Sequence, residues 1–203
     1  MKFFLLAFVF SIPTYASTFV PDSFSAHFEE SIKSKATGKE KKSFGQIDYQ
    51  YPSQIHFEVT KPNPSTFVSN KVKSWYYVPP FINGEEGQVT IQKSSKLPLT
   101  KFLDSMKKGL KDSKLFTHQF KDKILILNFV PAVQKDLTLK EVHFESKKAA
   151  KDVKKMSEFE KMTLIYVDGR KVNLKFLDFK ENVKFNSNHF DFKIPAKTKV
   201  NEN

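Results

Sequence analysis

The stretch that decides the fold lies between residues 45 and 103. It reads GQIDYQYP at 45–52 and IHFEV at 55–59, followed by FVSN at 67–70, WYYVP at 75–79, QVT at 88–90 and LPL at 97–99. In the first two runs apolar and polar residues alternate with period two, which is the pattern of a strand with one buried and one solvated face. Many of the apolar positions are aromatic, so the sequence predicts a sheet whose concave face is lined by large apolar side chains.

A short amphipathic helix is predicted directly after these strands. Its apolar positions recur at helical spacing, lysines occupy the opposite side, and Pro98 suits the first turn. The apolar positions are Leu99, Phe102, Leu103, Met106 and Leu110. The pattern therefore predicts a helix over residues 99–110.

The remainder of the chain is predicted to be mainly β and to contain no domain linker. Apolar runs bounded by Gly, Pro and Asn indicate further strands, at 24–32, 123–130, 137–145, 162–167, 171–179 and 189–194. Asp168-Gly169 is typical of a tight hairpin, and residues 146–161 fit either a second helix or a basic loop. Together with the first stretch, this makes roughly ten strands and one or two helices.

The N-terminus has the pattern of a secretory signal peptide. Lys2 precedes an apolar run at 3–10, Pro13 ends that run, and Ala16 is a small residue suited to cleavage. No later segment reaches about 18 consecutive apolar residues, the length that a membrane-spanning helix requires. The sequence therefore predicts a signal peptide over residues 1–16, cleavage near Ala16, and one exported domain over residues 17–203.

Composition excludes several classes of chemistry. The chain has no cysteine, which excludes disulfides, thiol nucleophiles, zinc–thiolate sites and a lipid-attachment cysteine. The formal net charge of +12 would favour nucleic acid in an intracellular protein, but export and the dispersed lysines argue against that partner. The charge fits attraction to an anionic membrane or an acidic partner, and it fits a solvated surface equally well.

No catalytic constellation is visible in the sequence. The histidines lack the H-x-H or H-x-x-x-H spacing of metal ligands, and they are His27, His56, His118, His143 and His189. There is no G-x-S-x-G elbow, and the six glycines form no phosphate-binding loop. We therefore expect no enzyme activity, no metal site and no cofactor.

The order of short motifs along the chain is more specific than any one of them. They are FSAHFE at 24–29, GQI at 45–47, YPSQIHF at 51–57, VSN at 68–70, WYYVP at 75–79, QVT at 88–90, DGR at 168–170 and FDFKIP at 190–195. In this order and spacing they resemble the LolA family, the periplasmic carriers of outer-membrane lipoproteins.

The resemblance implies a mainly β (α+β) fold and a function. The fold is a strongly bent, unclosed antiparallel half-barrel, whose short helices form a lid over a hydrophobic cavity for acyl chains. Such a monomeric periplasmic carrier accepts lipoproteins from an inner-membrane ABC transporter and delivers them to an outer-membrane acceptor, without a cofactor. Two alternatives remain open: a lipid- or glycolipid-binding module of the same fold serving another export pathway, and a sensing domain that uses the fold for protein contacts alone.

The candidate lipid-binding residues are the inward positions of the predicted strands and helix. They are Ile47, Tyr49, Tyr51, Ile55, Phe57, Val59, Phe67, Trp75 and Tyr77 on the strands, with Leu99, Phe102, Leu103 and Met106 on the lid. A sealed core and a cavity wall have the same sequence pattern, so each residue could equally be ordinary core.

Two positions depart from the family pattern. Tyr51 stands where the family has an arginine that is thought to hold the lid closed, and Asn70-Lys71 replaces an Asp-Gly turn. These changes indicate a divergent member, in which the contact that closes the lid is not evident from the sequence.

Overall fold

The computed structural model describes residues 18–34, 37–82, 84–93, 98–107 and 109–202. The predicted signal peptide and the side chain of Leu99 lie outside the described part of the chain. Within these ranges no helix is both long and apolar enough to cross a bilayer.

The described residues form twelve strands and two α-helices. The strands are β1 Ser23–Lys33, β2 Glu40–Gln50, β3 Gln54–Lys61, β4 Ser65–Ser69, β5 Lys73–Val78, β6 Gly87–Lys93, β7 Phe116–Lys121, β8 Ile124–Phe129, β9 Leu139–Ser146, β10 Phe159–Tyr166, β11 Lys171–Glu181 and β12 Thr198–Glu202. The helices are α1 Pro98–Met106 and α2 Pro131–Leu137.

All twelve strands belong to one unclosed sheet. Their order is β12-β6-β5-β4-β3-β2-β1-β11-β10-β9-β8-β7, and every neighbouring pair is antiparallel except β12, which runs parallel to β6. The expected mainly β, bent and unclosed sheet is therefore confirmed. Its purely antiparallel character is corrected, because the last strand returns alongside β6 in the parallel sense.

The contacts of α1 show how strongly the sheet bends. In the sheet order, β2 and β8 are five strand spacings apart, which is about 24 Å across a flat sheet. Nevertheless Asp104 of α1 hydrogen-bonds to Tyr49 on β2, while Phe102, on the same helix, has its ring 5.5 Å from that of Phe129 on β8. Because Phe102 and Asp104 are only two positions apart, the sheet must curl until β2 and β8 face each other.

Helix α1 ends earlier than its apolar pattern predicts. Gly109 has φ +98°, and its N–H donates to the carbonyl oxygen of Met106 at 3.0 Å, a turn that ends the helix. Leu110 still packs against the core, so its apolar character reflects burial and not helical structure.

Four further segments differ from the sequence prediction. Strand β7 and helix α2 were not predicted, and residues 189–194 are not a strand. The last strand is instead β12, which begins beyond the predicted strand at 189–194. Its side chains are mostly exposed, and parallel pairing with β6 is a long-range contact that local patterning does not encode.

Residues 146–161 are neither a regular helix nor a plain basic loop. They contain two short 3₁₀ turns, Ala150–Asp152 and Met156–Glu158, before β10 begins at Phe159. The N–H of Met156 donates to the carbonyl oxygen of Phe19 at 2.8 Å, and Met156 is buried. This segment therefore closes one end of the core.

The sheet has an apolar cluster on each face. The larger cluster lies on the inner face, defined as the face that α1 covers, and includes Phe24, Tyr49 and Ile55. A smaller cluster of Val68, Trp75 and Val89 packs with Phe192 on the opposite, outer face. The chain between β11 and β12, here called the C-terminal segment (182–197), covers part of that outer face.

Candidate functional site

Six predicted strand residues lie on the inner face. The strand register places Ile47 opposite Phe57 and Tyr49 opposite Ile55, and Phe57 opposite Phe67. Side chains of such direct pairs share one face of the sheet. Ile47, Tyr49 and Ile55 are buried in the large cluster, while Phe57, Val59 and Phe67 pack against it and remain partly exposed. The inner face is therefore sealed at one end and accessible at the other.

Helix α1 fills the sealed end. Phe102, Leu103 and Met106 are all buried in the same cluster as Tyr49 and Ile55, as the amphipathic pattern of the helix requires. In this structure the apolar side of the helix therefore covers this end of the inner face.

Strand β1 completes the inner face between β2 and β11. Phe24, Ala26 and Phe28 are buried there, although they were not among the candidate residues. The ring of Phe28 stacks on that of Phe57, with centroids 4.6 Å apart and an interplanar angle of 12°. Their alternation with polar residues was the signal that could have added them to the predicted site.

Gly45 permits this aromatic stacking. A Cβ atom at this position would lie 2.0 Å from the carbonyl oxygen of Glu58 and 2.5 Å from Cζ of Phe28. Both distances are far below van der Waals contact, so a side chain at this position displaces either the backbone of β3 or the ring. The glycine is thus required by the close approach of its neighbours.

Trp75 and Tyr77 were predicted to face inward, and the register places them on the outer face. Trp75 is opposite Val68 on β4, and the ring of Tyr77 lies 5.4 Å from that of Phe192. Tyr76 and Val78 occupy the inner face instead, 48% and 39% exposed respectively. Because the C-terminal segment covers the outer face, β5 is apolar on both sides and lacks the period-two signal that would have fixed its orientation.

Tyr51 lies at the rim, in the turn between β2 and β3, and is 41% exposed. Nζ of Lys107, directly after α1, lies 5.3 Å from the centroid of its ring, within the range of a cation–π contact. Lys107 also forms an ion pair with Asp22, ahead of β1. These contacts tie the end of α1 to the rim of the sheet.

A polar cluster fastens the middle of α1 to the same turn. One carboxylate oxygen of Asp104 accepts hydrogen bonds from the Tyr49 hydroxyl at 2.7 Å and from the Ser53 N–H at 3.1 Å. Its other oxygen accepts one from the Ser53 hydroxyl at 2.6 Å. We call Tyr49, Ser53 and Asp104 the helix latch. It fastens α1 to β2 and to the β2–β3 turn.

The surroundings of Tyr49 keep its hydroxyl protonated, so that it can donate a hydrogen bond to Asp104. Burial, and then the hydrogen bond to Asp104, raise the pKa of the Tyr49 hydroxyl above its ordinary value. The phenol therefore stays protonated at physiological pH and donates to the carboxylate. Asp104 was overlooked in the sequence because a single acidic residue in a lysine-rich helix looks like part of the solvated side.

An open cleft of about 540 Å³ lies elsewhere along the sheet. It has aromatic and charged walls, formed by Phe159, Phe176, Phe179, Lys147, Lys148, Lys175, Glu158, Glu160 and Ser157. Together with the partly exposed end of the inner face, it offers apolar surface that water can reach.

The outer face holds the strongest candidate for a metal site. Asp48, His56 and His189 bring one ligating atom each within 4.8 Å of one another. Burial, and then the neighbouring His189, lower the pKa of His56, so its imidazole is neutral at physiological pH. Sequence spacing did not reveal this cluster because His189 is far from the other two residues along the chain.

Comparison with known proteins agrees with this architecture. The family model described as "Outer membrane lipoprotein carrier protein LolA" matches residues 21–193. A crystal structure of an uncharacterized conserved protein from Thermus thermophilus is 9% identical, covers 90% of this chain and 91% of that chain, and has a TM-score of 0.50. A LolA superfamily protein from Nitrosomonas europaea is 11% identical, with coverages of 85% and 91% and a TM-score of 0.43.

Comparison with curated protein sequences gives no significant match. At 9% identity the Thermus thermophilus structure shows likeness of fold alone, and the family model carries the assignment. It spans β1 to β11, α1 and most of the C-terminal segment. The chain therefore belongs to the LolA family of outer membrane lipoprotein carrier proteins.

Proposed function

We propose that this protein is a periplasmic carrier that accepts acylated lipoproteins released from the inner membrane and delivers them to the outer membrane. The observation that carries the proposal is the combination of an aromatic inner face with a short helix held over it by the helix latch. The LolA family is a non-enzymatic carrier family that binds lipoproteins, and the proposal extends that general role to this chain.

The magnitude of acyl-chain hydration explains why a carrier is needed. Removing one methylene from water is worth about 0.8 kcal/mol, so two or three long acyl chains represent roughly tens of kcal/mol. A carrier must offset much of that with its own apolar surface, and must still release its cargo. Broad aromatic surfaces suit this, because they supply apolar area without a closely shaped pocket.

Exchange between helix and cargo would keep the net affinity moderate. Phe102, Leu103 and Met106 occupy the inner face in the closed state, so an arriving acyl chain replaces contacts that already exist. Loading then exposes the apolar side of α1 and breaks the hydrogen bonds of the helix latch, each worth about 1.5–3 kcal/mol when a charged group takes part. These costs lower the affinity and favour release at the acceptor.

The remaining features of the proposal follow from the sequence and the family. Residues 1–16 would direct export, residues 17–203 would form the carrier domain, and the mature monomer would act in the periplasm. An inner-membrane ABC transporter would supply both cargo and energy, and an outer-membrane acceptor would receive the cargo.

The direct test is native mass spectrometry of the exported protein, to identify what is bound. The proposal predicts acylated lipoprotein or its acylated peptide. Bound free lipid or glycolipid would instead favour a lipid-binding module of the same fold, and a consistently empty protein would favour a sensing domain.

A matched pair of variants tests the inner face. Phe57→Glu places a charge on the accessible end of the inner face, whereas Phe44→Glu makes the same change on the outer face of β2, where Phe44 is 42% exposed. We expect F57E to stop lipoprotein release from inner-membrane vesicles and F44E to retain it, both folded by circular dichroism. Normal lipoprotein release by F57E would show that acyl chains bind at another place on the protein.

A further inference from the structure

Three side chains that commonly bind metals meet on the outer face. Asp48 on β2 and His56 on β3 are direct cross-strand partners, and such partners have Cβ atoms about 4.5–5.5 Å apart. His189 comes from the C-terminal segment, which crosses the outer face here. One ligating atom of each residue lies within 4.8 Å of the other two. The sheet register therefore supplies two members of the cluster, and the C-terminal segment supplies the third.

Asp48 is buried and held in one orientation. Its side chain is 5% exposed, and its Oδ1 accepts a hydrogen bond from Nε2 of Gln46 at 3.0 Å. Its Oδ2 is directed at His189, whose Nε2 lies 2.7 Å away. A partner on one carboxylate oxygen, with the other oxygen directed into the site, is the arrangement that orients metal-binding carboxylates.

His189 is fixed by aromatic packing. Its ring stacks on that of Phe185, with centroids 4.4 Å apart and an angle of 21°, and meets the ring of Phe190 edge-on at 4.9 Å. Phe190 is only 2% exposed and anchors this part of the C-terminal segment. Two aromatic neighbours, one buried and one half-buried, therefore present the imidazole to β2, unlike a freely rotating surface histidine.

His56 provides an independent indication of a ligand. Its Nδ1 is buried, and it has no hydrogen-bond partner within the part of the chain that the structure describes. Its ring centroid lies 5.5 Å from that of His189. Buried polar atoms of native proteins nearly always have a partner, and a bound cation would satisfy this imidazole.

We propose that Asp48, His56 and His189 form a binding site for a divalent transition-metal ion of the Zn²⁺ class, which fastens the C-terminal segment to β2 and β3. Two imidazole nitrogens and one carboxylate oxygen suit Zn²⁺ and its neighbours, whereas Ca²⁺ and Mg²⁺ prefer oxygen ligands throughout. The site lies on the face opposite α1, so it does not depend on the proposed carrier role.

The geometry requires only small adjustments. Ligand atoms on a tetrahedral zinc ion, with bonds of about 2.0–2.1 Å, lie about 3.4 Å apart, and those of the cluster span no more than 4.8 Å. On an ion, Asp48 Oδ2 and His189 Nε2, now 2.7 Å apart, would separate by about 0.7 Å and the wider separations would close, which small side-chain rotations allow. Three protein ligands leave the fourth position of the ion for water.

Calorimetric titration of the metal-free full chain with Zn²⁺, and separately with Ca²⁺, tests the site. We expect one Zn²⁺ per chain, no Ca²⁺ binding, and a rise in the thermal midpoint with Zn²⁺ alone. His56→Gln and Asp48→Asn should each weaken Zn²⁺ binding at least tenfold, and Gln46→Ala should weaken it by about 10- to 100-fold through loss of the orienting hydrogen bond.

His143→Gln is the matched control. His143 also pairs with a carboxylate, since its Nε2 lies 2.9 Å from Glu141 Oε2, but it belongs to no three-residue cluster among the described residues. This variant should bind Zn²⁺ like the wild type. If Asp48→Asn fails to fold by circular dichroism, His56→Gln still carries the test. Equal affinity of wild type and H56Q, equal loss in H143Q, or no stoichiometric binding would overturn the proposal.

Discussion

At the residue scale, Asp104 is the most important residue for the position of α1. It is the charged group in an otherwise apolar contact between this helix and the sheet. Its partners Tyr49 and Ser53 lie 55 and 51 positions away along the chain, so no local pattern pairs them with it. The resemblance to the family drew attention to Tyr51, and the structure pairs this residue with Lys107 at the end of α1, beside the helix latch.

Removing the carboxylate should loosen α1 without unfolding the sheet. For Asp104→Ala we expect a loss of about 1–3 kcal/mol in the free energy of unfolding, because the hydroxyl of Tyr49 loses its acceptor. We also expect faster amide hydrogen exchange within α1. Asp136→Ala, at an exposed position of α2, is the control and should change neither quantity. Unchanged exchange in α1 for D104A would show that the latch does not hold the helix.

Alkaline pH should weaken the latch through Tyr49. Because the pKa of this hydroxyl is raised on folding from its ordinary value of 10.0, its contribution to stability is complete below about pH 10 and is lost as the pH rises further. We therefore expect the free energy of unfolding to fall less steeply between about pH 9 and 11 in Tyr49→Phe than in the wild type. Chemical denaturation at several pH values measures this slope, and identical slopes would contradict the prediction.

Gly45 should tolerate no side chain. Gly45→Ala places a Cβ against the carbonyl oxygen of Glu58, so β3 or Phe28 must move, at a cost of about 1–3 kcal/mol. Ser43→Ala, two positions earlier on β2, is the matched control and should change the thermal midpoint little. A G45A midpoint equal to that of the wild type would contradict the close packing described for this strand.

At the element scale, the sequence predicted the strands well where a single face is buried. Strands β2 and β3 show a clear period of two, and their inward residues Ile47, Tyr49, Ile55 and Phe57 lie on the inner face. Strand β5 ends in an apolar run at 75–78 that puts apolar side chains on both faces, including the partly exposed inner one, so its orientation could not be derived. Strand β12 is polar and depends on long-range pairing with β6, which local sequence does not encode.

The orientation of β5 can be measured by fluorescence, since Trp75 is the only tryptophan in the chain. Trp75 lies on the outer face beneath the C-terminal segment. We therefore expect a long-chain acyl ligand to leave its emission maximum nearly unchanged. Phe192→Ala, by contrast, should admit water to that cluster and shift the emission to longer wavelength. A large shift of the emission maximum on ligand binding would indicate that Trp75 lies on the inner face, and would contradict the prediction.

At the scale of the whole molecule, the sequence predicted the class of fold and the family. It did not predict the closed state, in which the apolar side chains of α1 are buried against the inner face. Motif order was sufficient for the family because each motif marks a strand or turn of the sheet. The bend of the sheet was expected from the family resemblance alone, whereas the contacts that set it, between Asp104 and β2 and between Phe102 and β8, join residues far apart in the chain and could not be predicted. Those same contacts make the carrier account testable.

The proposed carrier role requires α1 to leave the inner face before acyl chains enter. The chain has no native cysteine, so Ser53→Cys with Asp104→Cys can join α1 to the β2–β3 turn through a reversible thiol cross-link. A Thr163→Cys and Asn173→Cys pair, whose native side chains hydrogen-bond at 2.9 Å between β10 and β11, cross-links the sheet while leaving α1 free.

The most direct measurement is binding of a fluorescent acylated lipopeptide to these two proteins before and after reduction. We expect that the cross-linked S53C/D104C protein does not bind, that reduction restores binding, and that the T163C/N173C control binds in both states. Equal binding by the cross-linked and the reduced S53C/D104C protein would contradict this expectation.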